Sequence, residues 1–183
     1  MTSSQLLVSL VLLLASSVSG VPHVDDAGKQ ELKHIHMYMH ETLAGPTART
    51  VTVAPSPLDG NWTFGTVGVV DLELRDGPDP SNSSLVGRCQ GMFAFAGHVS
   101  PPGMLTTVNF VFTAGEHDRS TLAILGTIMS FEHSFERAVV GGTGAFRMAR
   151  GYCITAAVAK PTPESVVYEV CQLSSSTRTR QWR

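Results

Sequence analysis

The chain is short of most of the groups on which small-protein chemistry relies. Three cysteines, Cys89, Cys153 and Cys171, are too few for a disulfide scaffold, and the odd number leaves at least one thiol unpaired. Stability must therefore come mainly from an apolar core. Only 15% of residues are charged and the formal net charge is -2, so there is no basic stripe of the kind that tracks a nucleic-acid backbone. The basic cluster Arg178, Arg180 and Arg183 sits in a polar tail, which reads as solvated. The longest apolar run, Leu6 to Ala15, is too short to span a hydrocarbon core of about 30 Å. After it, no segment holds apolar residues at i, i+3, i+4 and i+7 for three turns, which disfavours helical folds. Neither a Walker phosphate loop nor a nucleophile elbow is present.

What is present begins with "MTSSQLLVSLVLLLASSVSG", an apolar run followed by small residues, which reads as a secretory signal cleaved after about Gly20. Secretion gives meaning to two glycosylation sequons, at Asn61 and Asn82, both set among Pro, Gly and Ser and so expected in surface loops. A polar leader over 21–33 precedes one domain over 34–173, and a polar basic tail covers 174–183. Within the domain, segments rich in Val, Ile, Thr and aromatics, bounded by Gly, Pro, Asn, Asp or Ser, predict about eight strands. They fall near 34–43, 64–72, 86–97, 105–113, 121–129, 134–140, 146–158 and 166–173. In "TVNFVFTAG" the alternation puts Val108, Phe110 and Phe112 on one face. An antiparallel sandwich or a closed barrel follows, and a barrel of about eight strands has room inside for one small ligand.

Three stretches carry possible chemistry. In "HIHMYMHE" a strand would set His34, His36, Tyr38 and His40 on one face, with Ile35, Met37, Met39 and Glu41 on the other. The same-face histidines lack a fixed set of further ligands, so solvent-facing or hydrogen-bonded imidazoles are expected rather than a metal site. Cys153 and Cys171 flank "AKPTPES", which leaves open either a cross-strand bridge or buried free thiols. In "VVGGTGAFRMARGYC" the glycines predict a tight turn over 141–144 that feeds a strand from Phe146. Arg147 and Arg150 would face opposite sides of that strand, and a buried arginine needs an acidic partner such as Asp71.

Taken together, "HIHMYMHETLAG", "FGTVGVVDLELRDGPDPSNSSLVGRCQG", "LTTVNFVFTAGEHDRSTLAILG" and "VVGGTGAFRMARGYC" closely resemble the plant dirigent family, in order and with ordinary spacing, over about residues 34–173. The resemblance implies a secreted, all-β, eight-stranded antiparallel barrel, usually trimeric, with a pocket inside each barrel. It implies a protein that is not itself an oxidase and needs no cofactor. Such proteins direct stereoselective coupling of phenoxy radicals, from monolignols such as coniferyl alcohol, that a separate laccase or peroxidase makes. Some dirigent-like barrels instead resemble cofactor-free cyclases or dehydratases working through a quinone methide, and a binding role in the wall or in defence is a third possibility. The resemblance marks Asp71 and Arg150 as pocket acid and pocket arginine, and places Phe110, Phe112 and His117 against the ligand. Leu72 stands where the second of the family's paired aspartates is usual, Ala145 where pinoresinol-forming members carry an acid, and His117 where a tyrosine linked with the pocket is usual, which argues against lignan formation of the pinoresinol type.

Overall fold

A computed structural model describes residues 31–58, 60, 62–99, 103–171 and 175–177. The expected signal, most of the leader, the end of the tail and Asn61 lie outside the described residues. The strands are β1 (Glu31–Lys33), β2 (Met37–Thr42), β3 (Thr50–Ala54), β4 (Val67–Arg75), β5 (Leu85–Phe95), β6 (Met104–Phe112), β7 (Thr121–Ile128), β8 (Phe135–Thr143), β9 (Gly151–Thr162), β10 (Ser165–Cys171) and β11 (Ser175–Thr177). From β4 to β10 each strand pairs antiparallel with the next, and β2 pairs with both β10 and β4. That double pairing closes an eight-stranded barrel, as the resemblance implied, and no α-helix occurs among the described residues. Strand β3 takes over the other half of β4, with Thr50 opposite Val70, where β2 has left off at His40 opposite Glu73.

Alternation makes the barrel. On β6 the inward set Met104, Thr106, Val108, Phe110 and Phe112 is buried while its neighbours face out, and on β2 Met37 and Met39 are buried between outward His36, Tyr38 and His40. The interior holds two apolar clusters. A large one, which includes Met37, Leu74, Phe110, Phe112, Leu122, Phe146 and Val170, packs one end solid. A smaller one, Phe93, Phe95, Met104 and Ile128, lines the other end.

The glycine-rich stretch differs from its expected layout. Gly141 and Gly142 continue strand β8, the reversal comes at a short 3-10 turn, Gly144–Phe146, and β9 starts only at Gly151. Gly144 has a φ of +60°, and a Cβ there would come within 2.5 Å of Ser120 Oγ, which itself accepts a hydrogen bond from Ala145 N at 3.0 Å. This turn drops Phe146 into the barrel end, where it is fully buried. Strand β3 and the β1–β11 pair were not expected: β3 is short and mostly exposed, so it lacks the half-buried alternation that marks its neighbours.

Gly144→Ala meets both the left-handed backbone and Ser120, and should lower the unfolding free energy by about 1–2 kcal/mol or more, read from urea midpoints at unchanged slope.

Candidate functional site

Between the two apolar clusters lies a cavity of about 710 Å³, opening at the end where β6 begins and β7 ends. Its wall is mainly apolar, with Met39, Leu72, Cys89, Phe93, Val108 and Ile128 among its members. Trp62, half exposed at the mouth, stacks on Phe93 with ring centres 5.8 Å apart and meets Phe95 edge-on at 5.7 Å. Such a volume and lining suit one drug-sized, largely aromatic ligand.

Besides Ser130 and the exposed Glu132, polar groups enter this wall at two places. Glu41, next inward after Met37 and Met39 on β2, accepts a hydrogen bond from Tyr168 Oη at 3.0 Å and another from Thr50 Oγ1 at 2.5 Å. Tyr168 reaches the interior because the β9–β10 register shifts between Val167 and Tyr168, which leaves both residues buried. Burial, with Glu41 beside it, raises the Tyr168 phenol above its ordinary pKa, so it stays a donor. The second place is Arg137, 4% exposed, projecting inward from β8 between Phe135 and Val139.

The residues marked in advance fall elsewhere. Asp71 faces outward on β4, where Arg88 pairs with it at 2.8 Å and, with Gln90, holds its carboxyl below the usual carboxylate value. Its neighbour Leu72 has the inward position. Arg150 is exposed beyond the 3-10 turn, and its Nη1 donates to the carbonyls of Val140 and Ala149. Asp71 and Arg150 are therefore not brought together, and neither lines the cavity. Phe110 and Phe112 do point inward but belong to the solid end, where Phe112, His117 and Phe146 stack with centres 4.8 to 5.6 Å apart. Ala145 is exposed. His36 and His40 face outward, to Glu169 at 2.7 Å and to the Gly77 carbonyl at 3.1 Å.

Glu41 lies inside HIHMYMHETLAG with no site role expected of it there, and Arg137 and Tyr168 lie in none of the quoted stretches. The available signal was parity: Glu41 follows Met37 and Met39 at intervals of two, and Arg137 sits between Phe135 and Val139 in the same way. Tyr168 had no such signal, since the register shift beside it breaks the alternation.

Cys89 and Cys153 are free, buried thiols, and burial pushes Cys89 up from 9.0 to about 12. The folded state therefore holds that proton more tightly than the unfolded one. The associated stability is complete below about pH 9 and is lost as pH rises towards 12. The wild-type protein should lose stability steeply above pH 9, and Cys89→Ala should remove about 1.4 kcal/mol of that loss per pH unit, as measured by urea unfolding at neutral and alkaline pH.

Among the described residues the site is a closed antiparallel barrel with a mostly aromatic and aliphatic cavity and a few inward polar groups, an architecture with room for one small ligand. Comparison with known proteins narrows this. The family model described as Dirigent-like protein matches residues 32–172, and the chain belongs to the dirigent family. Dirigent protein 1 of Arabidopsis thaliana is 39% identical over 153 residues, 81% of this chain and 83% of that protein. Pterocarpan synthase 1 of Glycyrrhiza echinata is 36% identical over 161 residues, 82% of this chain and 85% of that protein. A solved pterocarpan synthase dirigent protein superposes with a TM-score of 0.73 at 33% identity, covering 86% of this chain and 96% of the other.

Proposed function

We propose that this protein binds a phenolic benzylic alcohol in the barrel cavity and directs its dehydrative cyclisation through a quinone methide. The observation that carries this reading is Glu41, a carboxylate held by Tyr168 and Thr50 inside an otherwise apolar chamber. Similarity to pterocarpan synthases, at 36% identity, supports it. In the overall change the benzylic C–O bond breaks, a substrate phenol oxygen bonds to that carbon, and the phenol's proton leaves with the hydroxyl as water. Electrons are neither gained nor lost, so the step needs proton transfer and not a redox cofactor. Glu41 gives a proton to the departing hydroxyl as the quinone methide forms and recovers one from the attacking phenol as the ring closes, while Tyr168 orients the carboxyl group. The phenol conjugated with the benzylic carbon loses its proton in the first step and regains one in the second. The apolar wall keeps bulk water from the electrophilic carbon and presents one face of it to the nucleophile. The proton-handling role expected of Asp71 is given in this reading to Glu41, which lines the chamber.

A second reading keeps the same chamber but gives it phenoxy radicals, made from monolignols by an external laccase or peroxidase. The breadth of the apolar lining favours it, since a cavity of about 710 Å³ can orient coupling partners without any protein acid. A ten-fold preference for one product enantiomer corresponds to only about 1.4 kcal/mol.

The family resemblance and the N-terminal segment support secretion to the apoplast. Asn82, exposed in the 3-10 turn Pro80–Asn82, is available for a glycan. Exposed outward side chains at Val51, Val69, Met92, Leu125 and Tyr152 fall in one pairing row across β3, β4, β5, β7 and β9, which supports assembly into a homo-oligomer, a trimer by the resemblance.

The test is to incubate purified protein, with no oxidant, with a benzylic alcohol that carries a neighbouring phenol. One enantiomer of the cyclic ether is expected, whereas unchanged substrate would remove the dehydration reading. A parallel reaction of laccase with coniferyl alcohol decides the second reading by whether added protein shifts the enantiomer ratio. Glu41→Gln should lower kcat by about 10²–10⁴-fold while ligand quenching of protein fluorescence is retained. An unaltered kcat would show that Glu41 is not the proton carrier.

A further inference from the structure

Arg137 is a buried cation with incompletely used donors. It is 4% exposed, cannot shed its proton, and has five N–H donors in a rigid fork. Its Nη1 donates to Thr106 Oγ1 and its Nη2 to Thr155 Oγ1, both at 3.4 Å, which is the long end of hydrogen bonding. Its Nε has no partner. Among the described residues no carboxylate stands within 4.0 Å of it, and of the two that line its cavity Glu41 is occupied by Tyr168 and Thr50 while Glu132 is exposed to solvent. A buried cation without a counter-charge is costly, by several kcal/mol in general.

The surrounding structure nevertheless makes room for it. Gly126 on β7 lies alongside Arg137, and a Cβ there would come within 2.9 Å of the arginine Cγ and 3.2 Å of its Cα. The missing side chain lets the guanidinium arch over β7 towards Thr106 on β6, whose hydroxyl also donates to the Gly126 carbonyl at 3.0 Å. The Phe135 ring, 5.4 Å from the guanidinium carbon, supports one side. Arg137 also lines the same cavity as Met39, Cys89 and Phe93. Its positive field reaches Cys89, Cys153 and Tyr168, opposing the effect of burial on each.

We propose that Arg137 is an oxyanion subsite and that the cavity selects aromatic ligands carrying an anionic oxygen, phenolate or carboxylate, which docks on the guanidinium. The inference rests on the cavity being the ligand site and not on the dehydration step. An anionic oxygen supplies the counter-charge that the fold withholds, with in-plane donors from Nε and an Nη. In the proposed cyclisation the same contact would favour loss of a phenol proton at that end of the substrate, while Glu41 serves the other oxygen.

The experiment measures binding alone, by fluorescence quenching and calorimetry, for the wild type, Arg137→Met and Arg137→Lys. One arm compares 4-hydroxycinnamic acid with its methyl ester. The other compares 4-hydroxybenzaldehyde, at a pH where it is ionised, with its methyl ether. In at least one arm the wild type should prefer the anion by about ten-fold or more, the effect of one charge-assisted hydrogen bond, and that arm identifies the oxygen type. Arg137→Met should bring the ratio of anion to neutral affinity down to about one, and should melt at or above the wild-type temperature because an unpaired buried charge has gone. Arg137→Lys should keep part of the preference. Neutral ligands bound as tightly as anions, or a preference that survives Arg137→Met, would overturn the subsite while leaving the cavity as a ligand site. Failure of every aromatic to bind would overturn both.

Discussion

Strand β2 is the piece on which the remaining structure depends, because it pairs with β10 on one side and β4 on the other and so turns an open sheet into a cylinder. Once the sheet is closed, inside and outside are fixed for every strand, and a one-residue slip would exchange the two. Met37 and Met39 anchor that choice through burial, at 1% and 5% exposure. Because the period is two, the same choice delivers Glu41 to the interior, and pairing to β4 sends Leu72 and Leu74 inward and Asp71 and Glu73 outward. The outward acids are then met by Arg49, Arg75 and Arg88 in a half-exposed charge network. The same acids inside the barrel would require buried arginines opposite them.

The interior is asymmetric for a reason that lies in the loops. At one end the 3-10 turn after Gly144 inserts Phe146 beneath Phe112 and His117, and the space is filled with rings. At the other end the aromatic residues Phe93, Phe95 and Trp62 stand around the rim rather than across it. One end supplies stability and the other supplies volume. The ligand residues expected from the resemblance, Phe110, Phe112 and His117, belong to the first end, whereas the polar groups able to meet a ligand in the cavity belong to the second.

Strand positions were legible because alternation reports burial directly, and TTVNFVF or HIHMYMHE show it with little interruption. Orientation across a register shift was not legible. The β7–β8 register shifts between Ala123 and Ile124, just where Gly141 and Gly142 extend the strand, so the distance from the glycines to Arg150 does not predict which way Arg150 faces. Arg137 was overlooked for the opposite reason. Its parity is plain, but an arginine between Phe135 and Val139 on an inward face conflicts with the usual rule that charges face water, and without Gly126 and the Thr106 hydroxyl in view it reads as an outward residue.

That conflict between local pattern and burial bears on what the cavity is for. A core selected only for stability would place leucine or methionine at 137, since Phe135, Ile128 and Val108 already make an apolar surround and a buried unpaired guanidinium opposes folding. A glycine at 126, in the middle of a strand, adds a second local cost, because it gives up side-chain packing and backbone rigidity. The two costs are coupled: Gly126 is useful only if something large and inward must pass over it, and Arg137 passes over it. Paired departures from the stability optimum, aimed into a chamber with volume for a ligand, are what a binding requirement produces. The polar end of this chamber is therefore better understood through the charge of its ligand than through the stability of its wall.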